Sequence, residues 1–182
     1  PNPERIRRHQ PELLTEEYPG WDHGNPMVNQ WMIDYYSGRI EEWGLDVFRQ
    51  DTRNYPRPDT SEERVGIHWT RCVEGNYAFW DALHERFPEL IIDICGGGGY
   101  NIDIEAIGRS VCLWRSDYQC GGINEPDRLF NPAGMQAQTY GISLWAPLSG
   151  GSCRMITPYA VRSAYSPSVQ FALTEGPEPP SA

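Results

Sequence analysis

Two aspartates close two similar runs of the chain. "GLDVFRQD" (residues 44–51) and "SVCLWRSD" (residues 110–117) are each a short apolar stretch followed by arginine, one polar residue and aspartate. An ionised carboxylate is costly to bury without a partner, so Asp51 and Asp117 read as the ends of buried strands that open on a polar pocket. Two carboxylates on nearby strand ends can cleave a glycosidic bond. One attacks the anomeric carbon, and the other protonates the leaving oxygen and then activates water. A retaining enzyme holds the pair about 5–5.5 Å apart. Two aspartates also suit an aspartic dyad, but a dyad does not call for the neighbouring arginine. Arg49, two residues before Asp51, faces the same side of a strand. There it can keep Asp51 ionised, as a nucleophile needs, and grip a sugar hydroxyl. Strand-end Arg–Asp pairs are often structural, and the residues alone leave both readings open.

Between the two runs lies "LIIDICGGGG" (90–99), which ends in Cys95 and four glycines. It lacks the GxGxxG spacing and the GK(S/T) ending of phosphate loops. The glycines suit either a close approach of backbone to ligand or a tight turn with positive φ. Cys95 is chemically able to act as a nucleophile, but neither His68 nor His84 has an evident pairing role. His68 is expected in the loop before the second helix and His84 on that helix. The five cysteines, Cys72, Cys95, Cys112, Cys120 and Cys153, are odd in number and include no CxxC pair. That argues against a zinc site and against a disulfide framework. Mostly buried thiols are the expectation, and no metal is called for.

These residues need elements to hold them. Residues 1–25 are polar and read as an arm. Asn25 and Pro26 open a helix as cap and first residue, and Gly44 ends it. Val28, Trp31, Met32, Tyr35 and Ile40 fall near helical spacing. A strand covers 45–48, and a Pro-rich loop covers 52–66. A second helix, 70–89, carries Val73, Tyr77, Trp80, Leu83 and Phe87 as its apolar stripe. A strand at 90–94, a short helix within 101–110 and a strand at 111–114 follow. A long loop, 118–133, leads to a helix at 134–143 and a further strand within 143–150. Residues 159–173 are mixed, and 171–182 form a loose tail. Helix and strand alternate throughout, which implies parallel βα units. In a (β/α) barrel the chemistry sits at the C-terminal strand ends, where Asp51, Cys95 and Asp117 all fall.

With 182 residues the chain is about one domain long. Its net charge of -10 argues against nucleic acid or an anionic membrane as the main partner. No apolar run is long enough to cross a bilayer. No signal peptide is visible, and with the odd cysteine count this favours the cytoplasm. Seven Trp and ten Tyr suit a sugar site, and equally an aromatic core.

Together these motifs resemble glycoside hydrolase family 36, the α-galactosidase family of the melibiase clan. "RQDTR" resembles the family's nucleophile motif K-W-D-x-N, some branches of which carry R-Q-D. "CGGGG" is similar to its C-S/A-G-G-G stretch, and "WRSD" to its acid/base motif W-x-S-D. The resemblance runs over about residues 8 to 170 and implies an α/β fold of (β/α)8 TIM-barrel type. Residues 26–170 would be a partial barrel of about strands 3–8. It implies Asp51 as nucleophile and Asp117 as acid/base, with Arg49, Cys95, Gly97, Gly98, Trp114 and Arg115 against the substrate. The implied reaction is retaining hydrolysis of an α-galactoside, with no cofactor or metal. Arg53, Tyr100, Asn101 and Tyr118 depart from the family pattern at positions that bear on substrate choice. The first barrel strands have no counterpart, so a partner chain, a missing barrel half or a homo-oligomer is expected to close the fold. A non-catalytic fragment or sugar-binding subunit is the alternative. A galactosyl transferase would use the same covalent intermediate.

Overall fold

A computed structural model describes residues 22–51, 66–95, 99, 101–115, 127–146, 148–153 and 157–171. Asp117, Gly97 and Gly98 lie outside the described residues, as do most of the expected arm, the Pro-rich loop from 52 to 65 and the tail from 172. The chain divides into two compact units, one of residues 1–48 and 53–91, the other of residues 49–52 and 92–182.

In the first unit, helix α1 (Pro26–Trp43) packs on helix α2 (Ile67–Arg86). Its start and stop are those expected. The Asn25 side chain accepts from the Met27 amide at 3.0 Å, and Gly44 closes the helix in the left-handed region at φ 60°. Val28, Met32, Ile33 and Ile40 of α1 are buried with Cys72, Phe79, Trp80 and Leu83 of α2. Trp80 and Leu83 of the expected stripe are fully buried, while Val73 is exposed and Cys72 and Phe79 complete the buried face. The chain before α1 also approaches α2 closely. A Cβ on Gly75 would lie 1.9 Å from the His23 carbonyl oxygen, so the backbone of residues 22–25 rests on α2 there. Asn29 fastens this contact by donating to the Gly75 carbonyl at 2.9 Å and meeting His23 Nδ1 at 3.1 Å. Tyr36, Phe48 and Phe79 fill the space beside it edge to face, 5.0–5.8 Å between centroids. Helix α2 begins at Ile67, three residues before the expected start, so His68 lies in its first turn rather than in a loop.

Strand β1 (Val47–Gln50) pairs with β2 (Ile91–Ile94). The Ile91 amide donates to Asp46 O at 2.9 Å and the Cys95 amide to Gln50 O at 3.0 Å. Both strands advance by the same four residues, as parallel pairing requires. Within the second unit, Asp93 forms a parallel bridge with Val111. The expected strand at 111–114 shrinks to this bridge because the Leu113 amide donates to the Asp93 carboxylate at 3.0 Å instead of extending the ladder. The next neighbour is β3 (Gly150–Cys153), whose Gly150 amide donates to Cys112 O at 2.7 Å. Strand β3 pairs in parallel with β4 (Ser168–Phe171), Gly150 opposite Ser168.

Strand β3 was expected within 143–150 and falls later. Leu144, Trp145 and Leu148, which suggested a strand, are exposed. The real strand opens on two glycines because its neighbours leave no room. A Cβ on Gly150 would lie 2.3 Å from Leu113 O, and one on Gly151 2.6 Å from Met135 Cε. Short helix α3 (Ile104–Ile107) is capped by Asp103, and α5 (Pro158–Ser163) by Thr157. Helix α4 (Asp127–Ile142) starts seven residues before the expected helix and contains Pro132, so part of the expected loop is helical. No helix among the described residues is long and apolar enough to cross a membrane.

Candidate active site

The strand end at residues 49–51 carries the first of the two aspartates. Arg49 Nη2 lies 3.4 Å from Asp51 Oδ2, so the expected pair is formed. The stronger contact of Arg49 is a different one. Its Nη1 forms a short, direct ion pair with Asp93 Oδ2 from β2. Asp93 is buried at 3% exposure, between this guanidinium and the Leu113 amide on its other oxygen. Asp51 is half exposed, its side chain retaining 54% of its accessible surface. One carboxylate thus fixes the arginine from inside, and the other stands at the open end of the strand. Burial opposes the charge on Arg49, but the hydrogen bond and charge of Asp93, with the charge of Asp51, outweigh it and raise the Arg49 pKa.

Asp93 was not among the expected site residues. Its signal is an aspartate inside the apolar run "LIIDIC", where a buried carboxylate requires a cation or amide partner. It is the residue that joins the sequence motifs around Arg49 and around Leu113.

Cys95 follows β2 directly and is buried. Gly99 accepts the turn reading of the glycine run. Its φ is 92°, its amide donates to Cys95 O at 2.8 Å, and a Cβ there would lie 2.2 Å from Arg115 O. Cys112 is buried nearby, and burial, reinforced by the Asp93 charge, pushes its thiol up to about 12. Trp114 is half-buried. Arg115 behaves unlike Arg49. It is 2% exposed, and its Nη2 donates to Thr139 on α4, which in turn reaches Met135 O at 2.8 Å. A Cβ on Gly151 would lie 2.8 Å from the same nitrogen. Its described contacts are thus with α4 and β3 rather than with Asp51 or Arg49. Among the described residues its Nε and Nη1 meet no acceptor, and burial lowers its pKa.

No family model matches the chain. The bifunctional α-galactosidase/sucrose kinase AgaSK of Mediterraneibacter gnavus is 25% identical over 128 residues, covering 59% of this chain and 14% of that protein. The solved GH36 α-galactosidase AgaB of Geobacillus stearothermophilus superposes with a TM-score of 0.69 at 18% identity, over 93% of this chain and 26% of that one. Variants of AgaA from the same organism, solved with raffinose and with stachyose, give 0.68 over the same shares at 18% identity. In fold the chain is similar to a segment of these GH36 α-galactosidases. It spans about a quarter of the length of the solved α-galactosidases it matches. Among the described residues the candidate site is the Arg49–Asp93–Asp51 array at the ends of the first two strands.

Proposed function

We propose that the chain carries part of the catalytic (β/α) barrel of a retaining glycoside hydrolase acting on α-galactosides. The observation that carries this reading is the Asp51 carboxylate at the open end of β1, held against an arginine that a buried aspartate fixes from behind. The succession of strands supports the barrel: β1, β2, the Val111 bridge, β3 and β4 are neighbours in chain order. In such barrels chemistry sits at the C-terminal strand ends, and Asp51 and Cys95 follow β1 and β2 there.

In the proposed reaction Asp51 attacks the anomeric carbon as the bond to the leaving oxygen breaks, and Asp117 gives that oxygen its proton. Asp117 then takes a proton from water, whose oxygen displaces Asp51 and restores the carboxylate. Arg49 keeps a fixed cation beside Asp51 and offers donors to the sugar. Cys95, Gly97, Gly98 and Trp114 would line the galactose. Arg115, expected against the substrate, is instead held on Thr139 and is 2% exposed. Raffinose and stachyose, which occupy the matched AgaA variants, are the first substrates to try.

The share of the matched enzymes that the chain spans favours a second reading, a sugar-binding portion that does not turn over by itself. Release of nitrophenol from para-nitrophenyl α-D-galactoside separates the two, with Asp51→Ala and Asp117→Ala alongside. Turnover lost in both variants supports the hydrolase. A folded chain that binds galactose without turnover supports the second reading.

A further inference from the structure

The first unit holds a cluster that plays no part in the proposed hydrolysis. Asp22, just before α1, faces His68 and Cys72, which lie four residues apart on one face of α2. The Cys72 thiol donates to Asp22 Oδ1 at 3.2 Å, and His68 Nε2 lies 3.7 Å from the same oxygen. All three potential ligand atoms lie within 4.8 Å of one another. Zinc bonds of about 2.0–2.3 Å to oxygen, nitrogen and sulfur place tetrahedral ligand atoms about 3.3–3.6 Å apart. The two separations from Asp22 Oδ1 bracket that spacing, and the third, between His68 and Cys72, lies within 4.8 Å.

The surroundings fix the ligands. The Gly24 amide donates to Asp22 Oδ1 at 3.0 Å, and a Cβ on Gly24 would lie 3.1 Å from that oxygen and 3.2 Å from the Cys72 nitrogen. Cys72 is buried, while Asp22 and His68 are half-buried, so an ion has a route in. We propose that Asp22, His68 and Cys72 form a binding site for a divalent zinc-class cation, with a fourth position open to water. The donor set of one thiolate, one imidazole and one carboxylate is that of a borderline-soft ion rather than calcium or magnesium. Such an ion would tie the segment before α1 to the first turns of α2, across 50 residues of chain. The cysteine spacing concealed it, because only one cysteine takes part and the helical H-x-x-x-C pair carries the pattern.

The test is cobalt(II) and zinc titration of the purified chain, followed by absorption and by thermal unfolding. One equivalent of cobalt should give the thiolate charge-transfer band and tetrahedral visible bands, zinc should displace it, and either metal should raise Tm. Loss of an outer partner of a metal ligand already weakens sites by about 10- to 100-fold. His68→Gln and Cys72→Ser should therefore each lower affinity by at least about 100-fold and abolish the thermal shift. His84→Gln, elsewhere on α2, should bind as the unmutated chain does. His68 is half-buried, so His68→Gln keeps the test readable where Cys72→Ser fails to fold. A folded chain that shows no charge-transfer band overturns the proposal, and so does a band that survives in His68→Gln.

Discussion

Asp93→Asn exchanges a buried charge for a neutral group of the same shape. The amide oxygen still accepts from the Leu113 amide, so the loss falls on the ion pair with Arg49. Breaking a fully buried pair costs about 3–5 kcal/mol, and an exposed pair contributes about 0–1 kcal/mol. Here Asp93 is 4% exposed by its side chain and Arg49 34%. Water therefore screens one partner, and an intermediate cost of about 2–3 kcal/mol follows. For a chain of this length that lowers Tm by roughly 4–12 °C. Urea unfolding followed by tryptophan fluorescence measures it, with Arg49→Met and the double variant closing a cycle. The double variant should cost less than the sum of the single ones by at least about 1 kcal/mol. If Asp93→Asn costs under about 0.5 kcal/mol, or the two changes simply add, Asp93 does not anchor Arg49 and the account of the site fails.

Three further outcomes follow from the same geometry. Gly99→Ala places a Cβ against Arg115 O in a left-handed conformation and should destabilise the chain by about 1–3 kcal/mol in the same unfolding assay. Asn25→Ala removes the α1 cap and should cost about 1 kcal/mol, while Asn25→Gly should cost only a few tenths. Stability should fall on both sides of neutrality. Below about pH 6.5 the unfolded chain takes up a proton that His23 refuses because it is buried. Above about pH 9 the unfolded chain loses protons that Cys112 and Tyr36 keep, since burial pushes both up to about 12. Unfolding midpoints across pH check both limbs, and His23→Phe should flatten the acid one.

The helices with local signals were legible in the sequence. Asn25, Pro26 and Gly44 fix α1 by capping and backbone preference alone. The Arg49–Asp51 pair was legible too, because residues two apart on a strand share a face. The failures came from contacts distant in sequence. On α2 periodicity located Trp80 and Leu83, but it does not encode the meeting of Gly75 with His23. Strand β3 was hidden because the space beside Leu113 and Met135 demands glycine where a strand pattern would show valine or isoleucine. Asp93 shows the opposite case: its apolar neighbours announced a buried charge, but its partner lies 44 residues away.

The claim at the centre is that Asp51 attacks the anomeric carbon. Covalent trapping addresses it directly: the chain is incubated with a slow fluorinated α-galactosyl fluoride, digested, and mapped by mass spectrometry. One glycosyl adduct is expected on the peptide containing Asp51, absent from Asp51→Ala. An adduct on another residue, or none from a chain that releases nitrophenol, contradicts it.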